Sequence, residues 1–368
     1  MNIIYCCPFD TSIPTGKNRA TRHKIEALKK ISKRIDIIVP NEKEKRLPRA
    51  LRGFFCEFRC IITVIKNRNL ANLYISRGDV GIISVPLARY FKISTMREVH
   101  AGPFEELNLI KKSKITKCFL NIMWRINFIT TKMADIRIYN NPLLKKNFVN
   151  EGWGKESDIV SYNGASLDAI SSIDKNTALK KYSLRKDVKY LVFVGSTSKW
   201  RGVELLVDLQ EEFDKCSDNI KILCGGGEVA DDVDPSGKIF NFSPLDDVGC
   251  SELIKCADAC LLPVAHNRVS PGSPLKLYDY MINGKPVIAQ EKAFGYSDEV
   301  ERFNVGISVD FYSPQEARNK IVALLTNETL LDRYSQNAKA SLANYSWESR
   351  LKNWLHDESV TGTYEHTT

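Results

Sequence analysis

Two groups of cations stand where the local electrostatics of the chain oppose them. In SPGSPLKLYDYMINGKPVIA, residues 270–289, Ser273 is a natural N-cap, Pro274 an ideal first helical residue, Gly284 a C-terminal stop and Pro286 a breaker beyond it. This predicts a short helix beginning at Pro274, with Leu275 and Lys276 in its first turn. The macrodipole is positive there, so a cation is disfavoured unless an anion lies in front of it. A bound phosphate would be such an anion. Asp279 follows three residues on, nearly on the same face, where its carboxylate can accept bonds from the hydroxyls of a ribose or pair with Lys276.

The same placement recurs in KYLVFVGSTSKWRGVELLVDL, residues 189–209. A strand ends at Gly195 and Ser196, a helix starts near Gly202, and Lys199 and Arg201 precede its positive end. One diphosphate shared by the two helix starts accounts for all three cations. Between them, ILCGGGEVADD ends a strand in Gly225, Gly226 and Gly227, which suits either a close backbone approach to a ligand or a tight turn. Asp232 and Asp234 form a DxD pair, but Pro235 and Gly237 beside them mark a surface loop.

In the first half, KISTMREVHAGPFEE ends a strand at His100, with Glu98 alternating onto the same strand face. A single histidine of this kind is either a core residue or a group facing substrate. Glu105 lies in the following loop, and Arg97 with Glu98 also fits a buried ion pair.

These residues need a framework to hold them. Short β-branched runs alternate with amphipathic segments: MNIIYCCPF, IDIIVP, LANLYIS and ADIRIYN early, KYLVFVGS, NIKILCGGG, ADACLLPV and KPVIAQ later. That rhythm belongs to α/β proteins with doubly wound parallel sheets. The 368 residues exceed the usual size of one core, so two such domains are expected. We divide the chain into 1–168, a polar connection 169–187 whose hinge would leave a cleft, 188–345, a helix 346–359 packing back on the body, and a disordered tail 360–368.

Residues 1–150 hold 29 Lys and Arg against 11 Asp and Glu, a balance of +18, and the remainder of the chain's 53 and 44 gives −9. A basic half favours an anionic surface, whether phospholipid, lipid-linked phosphate or nucleic acid, or is a solvated face. It shows no helix-turn-helix, aromatic RNP segment or zinc spacing, and its cations are scattered, so nucleic acid is not the expected partner. Segment 111–133 mixes lysine with apolar residues and reads as a sheet-covering helix or a bilayer contact. The 10 cysteines read as free thiols in a reducing compartment. The start, MNIIYCCPFDTSIPTGKN, has no basic n-region or long apolar run, which points to a cytoplasmic protein that is neither exported nor integral.

FVGSTSKWRGVELL, SYNGASLD, ADACLLPV and SPLKLYDYMINGKPVIA, in their order and spacing, resemble retaining glycosyltransferases of the GT-B fold, family 4 or group 1 type. The resemblance extends over nearly the whole chain. It implies two Rossmann-like domains facing across a cleft, with Arg201 at the lysine position of the donor-phosphate loop. It also implies Asp279 as the second acid of an E-x7-E motif, binding ribose, and Gly16 with Lys17 in the loop after the first strand. Gly195, Ser196, Gly226, Ser273, Pro274 and Leu275 would line the donor. By the same resemblance His100 faces the donor sugar. Pro271 replaces the motif's first acid and Ser196 an arginine that assists the diphosphate, a role open to Lys199.

The implied reaction transfers a glycosyl group from a nucleotide-diphosphate sugar, UDP- or GDP-linked, to a hydroxyl of a glycan or lipid-linked acceptor, with retention, as in bacterial surface polysaccharide assembly. Lys199, Arg201 and Lys276 with helix-start amides would stabilise the departing diphosphate, so no metal or other cofactor is expected. His100 would orient the sugar. The basic half would rest on the inner face of the plasma membrane. A nucleotide-sugar 2-epimerase on the same fold is the alternative enzyme, and a nucleic-acid-binding protein the more distant one.

Overall fold

The computed structural model describes residues 1–13, 16–100, 114–167, 170–197, 201–230, 232–265 and 272–355. The chain forms two compact units: Met1–Asn163 with the segment from Trp347 onward, and Gly164–Ser346.

The first unit runs β1 (Asn2–Cys6), α1 (Gly16–Ile31), β2 (Arg34–Ile38), α2 (Glu42–Lys45), α3 (Arg49–Lys66), β3 (Leu73–Arg77) and α4 (Ser84–Tyr90). It continues through β4 (Ser94–Val99), α5 (Lys114–Met133), β5 (Ile136–Tyr139), α6 (Pro142–Asn150) and β6 (Ile159–Val160). Its six strands are parallel in the order β2-β1-β3-β4-β5-β6, with Ile3 opposite Ile35 on one side and Leu73 on the other. Helices cover both faces of such a sheet, so its strands are unbroken apolar runs. Ile3, Ile4, Tyr5 and Cys6 are all buried.

The second unit contains α7 (Lys175–Lys181), β7 (Lys189–Gly195), α8 (Glu204–Lys215), β8 (Ile220–Gly226), β9 (Phe240–Phe242), α9 (Asp247–Cys256) and β10 (Ala259–Leu262). Then come α10 (Leu275–Ile282), β11 (Val287–Gln290), α11 (Ser297–Phe303), β12 (Gly306–Val309), α12 (Pro314–Leu325), α13 (Glu328–Ala340) and α14 (Leu342–Tyr345). Its sheet, again parallel, is ordered β12-β11-β10-β7-β8-β9. The chain winds outward from β7 and then returns to lay β10 on the other side of it, so the topological switch point lies between β7 and β10. Ligands of open α/β sheets gather beyond the carboxyl ends of strands at such a point. α8 buries Leu205, Leu206, Leu209 and Phe213 on the sheet, a 3–4 spacing that fixes which of its faces looks inward.

Three expectations about organisation change. The chain changes unit at 163/164 and 346/347 rather than at 168 and 345. Residues 169–187 are no free connection. Asp174 caps α7 by accepting from the Thr177 amide at 2.8 Å, Ala178 and Leu179 are buried, and Tyr182 Oη donates to the Gly249 carbonyl at 3.0 Å. Those contacts fasten the segment to α9 of the second unit. Cys6 and Cys60, buried between β1 and α3, pair as a disulfide, leaving eight free cysteines.

The helix expected at 346–359 is α15 (Trp347–Leu355), which packs on α1 of the first unit with Trp347 and Trp354 buried. The tail 360–368 lies outside the described residues. α5, spanning most of segment 111–133, covers the sheet through Phe128, which packs in one buried cluster with Val99 of β4 and Tyr139 of β5. Among the described residues no helix is long and apolar enough to cross a membrane.

Candidate active site

The carboxyl ends of β7 and β8 are built from glycine. Gly195 has φ +120° and Gly226 φ +96°. A Cβ on Gly226 would stand 3.1 Å from the Gly195 nitrogen, and one on Gly227 would stand 2.9 Å from the Gly195 carbonyl oxygen, which accepts the Gly227 amide at 3.0 Å. The glycine run is therefore a close approach of backbone to backbone. Gly195 also lies beside Lys276, whose Cε would stand 3.4 Å, an ordinary contact, from a Cβ placed there.

Lys276 occupies the first turn of α10, directly beyond β10. The N-cap is Pro274, with ψ 124° and no side-chain cap bond, and the helix starts at Leu275 rather than Pro274. Ser273, expected to cap, instead joins Tyr278 Oη at 3.2 Å, and that hydroxyl donates to Glu299 at 2.9 Å. The tyrosine hydroxyl engages the serine, and among the described residues no side-chain cap bond is made at the start of α10. At the other end Gly284, at φ +67°, closes the helix, as its place in the sequence predicts.

The ammonium of Lys276 stands 3.5 Å from the centroid of the Phe193 ring and makes no hydrogen bond or ion pair among the described residues. The pairing with Asp279, the other reading of their spacing, is not formed. Burial, and then the Arg201 charge, push the Lys276 pKa well below the ordinary lysine value. Arg201 precedes α8, whose N-cap Val203 also lacks a side-chain bond, and its Nε is buried with no hydrogen-bond partner among the described residues. A ring contact contributes about 0.5–2 kcal/mol, while removing a cation from water costs several. Two cations that repel one another beside two positive helix ends are an arrangement that an anion would stabilise. Asp279 lies one turn along α10.

In the first unit, His100 follows β4 and its Nε2 lies 2.8 Å from Glu98 Oε2. Glu98 is the hub of a buried network, bound by the Lys24 ammonium of α1, by Tyr5 Oη at 3.2 Å and, at 3.7 Å, by Arg77. Burial alone would raise the Glu98 pKa, but Lys24, the His100 bond and Arg77 outweigh it and hold it far below the carboxylate range. Burial and Arg77 lower His100 to about 3, and burial lowers Lys24 to about 8. The imidazole is therefore neutral, with its Nε2–H given to Glu98 and Nδ1 left as an acceptor. Lys24 is walled by the Trp347 and Trp354 rings of α15, at 5.2 and 4.9 Å. Arg97 faces away from Glu98 and braces the carbonyls of Gly78 and Val80, so the Arg97–Glu98 pair is not formed.

Residues 174–341 match the family described as Glycosyl transferases group 1. The chain carries a group 1 glycosyl transferase domain. An uncharacterized glycosyltransferase of Methanocaldococcus jannaschii is 24% identical over 319 residues, 82% of this chain and 76% of that one. Among solved structures, sucrose-phosphate synthase from Thermosynechococcus elongatus superposes with TM-score 0.70 at 12% identity, covering 98% and 99% of the two chains. Anabaena HepE, in complex with UDP and glucose, gives 0.65 at 14%, covering 96% and 98%. The glycosyltransferase thus has the GT-B fold that the sequence resemblance implies.

Within this glycosyltransferase, Gly195, Ser196, Gly226, Ser273, Pro274, Leu275, Lys276, Asp279 and Arg201 all fall in the second unit, around the ends of β7, β8 and β10. Gly16 opens α1, with open space where a Cβ would be. The Lys17 side chain, Lys199, Pro271 and Glu105 lie outside what the structure describes. The DxD carboxylate of Asp234 accepts the amides of Lys238 and Ile239, which makes it a turn cap, and no metal-binding cluster occurs among the described residues. Reasoning from sequence missed Lys24, Tyr5 and Arg77. Lys24 stands in HKIEALKK, where nothing separates it from the solvated lysines beside it.

Proposed function

We propose that the glycosyltransferase moves a sugar from a UDP- or GDP-sugar to a hydroxyl of a glycan or lipid-linked acceptor, with retention at the anomeric carbon. The observation that carries this reading is the pair Lys276 and Arg201, cations with no ion pair among the described residues, beside helix starts that lack a side-chain cap bond. The UDP bound by Anabaena HepE favours uridine as the base. In the reaction, the bond from the anomeric carbon to the β-phosphate oxygen breaks. The acceptor oxygen bonds to the same face of that carbon, and its proton passes to the departing phosphate. Lys199, Arg201 and Lys276 hold the charge that grows on the diphosphate, the term most worth stabilising in the transition state, so the reading calls for no metal. Asp279 binds the ribose and neutral His100 orients the sugar.

The +18 balance of residues 1–150 supports an acceptor carried at an anionic membrane surface, in the cytoplasm, with bacterial surface polysaccharide assembly as the setting. A thermal-shift panel of uridine, guanosine and adenosine diphosphates and their sugars tests the donor. Failure of every one to raise the melting temperature, or equal shifts in Lys276→Met, refutes the site. Incubating the donor alone separates transfer from 2-epimerisation, which would yield an epimer with no acceptor present.

A further inference from the structure

α3 carries its apolar face outward. The positions turned into the fold are Gly53, Cys56, Glu57, Cys60 and Val64. Leu51, Phe54, Phe55, Phe58, Ile62 and Ile65 stand on the opposite side in solvent, Phe54 65% and Phe58 56% exposed. A helix on the surface of a globular domain has the reverse arrangement. Six large apolar side chains at helical spacing, over about 20 Å of axis, make one stripe rather than the scattered exposed residues of an ordinary surface.

The helix cannot roll to hide the stripe. A Cβ on Gly53 would meet the Asp79 carbonyl oxygen at 2.9 Å. Glu57 accepts the amides of Gly81, Ile83 and Ser84, the last two at 2.8 and 2.9 Å, and so caps α4. Arg59 donates to Glu44 at 2.6 Å and to the Val39 carbonyl at 2.8 Å. The loop that Glu57 fastens extends the apolar surface with exposed Ile82 and Ile83.

Charge indicates what covers this surface. Glu57, the helix's one acid, is spent inside the fold, while Lys66 and Arg68 at the end of the stripe are exposed, in a half of the chain balanced at +18. A second copy docked about a twofold axis would bring two basic surfaces together with no outward acid on either helix to offset them. A bilayer with anionic headgroups accepts both the aromatic stripe and its basic flank. We propose that the outward face of α3, with Ile82 and Ile83, docks on an anionic lipid bilayer. This fits the membrane-borne acceptor proposed above, but the binding itself does not depend on that reading.

The test is co-sedimentation of the full chain with vesicles of phosphatidylcholine alone and of phosphatidylcholine mixed equally with phosphatidylglycerol. The expected result is binding to the mixed vesicles, weakened at least about tenfold in the double variant Phe54→Ser, Phe58→Ser. The shift in melting temperature caused by UDP, read on the same samples, stays unchanged and separates this result from the fate of the donor site. Phe54→Trp provides a gain of signal, an emission blue shift with the mixed vesicles beyond that of the unsubstituted protein. Equal sedimentation of the double variant, no sedimentation of the unsubstituted chain, or a dimer that the double variant dissolves would each overturn the proposal.

Discussion

Lys276 and Phe193 form a cation–ring contact of 3.5 Å, the one contact that the ammonium makes among the described residues. The contact leaves the ammonium without a hydrogen bond or ion pair among the described residues, with Asp279 acting on it only at longer range. Removing the charge should then relieve the folded protein while harming what it binds. Lys276→Met is expected to hold or raise the melting temperature without nucleotide, and to weaken UDP binding roughly 10- to 100-fold, the worth of a charge-assisted bond. Differential scanning fluorimetry and calorimetry on the same preparation check both halves. A lower melting temperature with undiminished UDP affinity would show that the lysine is structural.

The depressed Lys276 pKa also sets a proton balance. The unfolded lysine keeps its proton up to its ordinary value of 10.5, while the folded one gives it up at lower pH. Between those two points the unfolded state binds more protons, so stability without ligand rises with pH. A diphosphate restores the proton, so its binding takes up protons in that window. Calorimetry in buffers of differing ionisation enthalpy should record that uptake in the unsubstituted protein and its loss in Lys276→Met.

Gly195 is the hinge of this geometry, since its φ of +120° is open only to glycine and its missing Cβ faces Lys276. Gly195→Ala is expected to cost about 1–3 kcal/mol of stability through the positive φ, the new Cβ meeting Lys276 only at ordinary contact distance. Gly16→Ala, with open space around it and no positive φ, serves as the control. Equal melting temperatures for the two variants would remove the steric argument.

Much of this was legible before the structure. Parallel strands buried on both faces appear as apolar runs, so the two sheets could be read directly. Lys276 and Arg201 were visible because a cation at a helix start violates a local rule. What stayed hidden depended on partners far away in sequence. Ser273 looks like a cap until Tyr278 competes for its hydroxyl, and 169–187 looks like a linker until Ala178 and Leu179 find α9. Lys24 looks solvated until Glu98 and two tryptophans of α15 enclose it. The apolar period of α3 is written in the chain, but its outward orientation follows from Gly53, Glu57 and Cys60 taking the inner side.

His100 supplies an acid-sensitive term. Folded, it stays neutral down to about 3, whereas the unfolded imidazole gains its proton near 6.5. The unfolded state binds the extra proton between those values, so stability falls as pH drops through that window, by about 1.4 kcal/mol per pH unit once the unfolded histidine is charged. His100→Gln should flatten that part of the denaturant-midpoint profile from pH 6.5 to 4. An unchanged acid slope in the variant would mean that the imidazole is charged in the fold.

Glu98 and Lys24 are coupled, and breaking one side should cost far more than removing both. Glu98→Gln strands the Lys24 ammonium among Trp347, Trp354 and Arg77, an uncompensated buried charge worth about 3–5 kcal/mol. Lys24→Met alone leaves Glu98 with Arg77 and Tyr5 and should cost less. In the double variant Lys24→Met, Glu98→Gln, neither charge remains, and more than half of the Glu98→Gln loss should return. The depressed lysine pKa, about 8 against 10.5 unfolded, adds a check. Stability of the single Glu98→Gln variant should climb from neutral pH toward 10.5 as the lysine sheds its proton, and the double variant should lack that climb. Urea titrations of the four proteins at neutral and alkaline pH give the coupling energy, and strictly additive losses would mean that the two residues act independently.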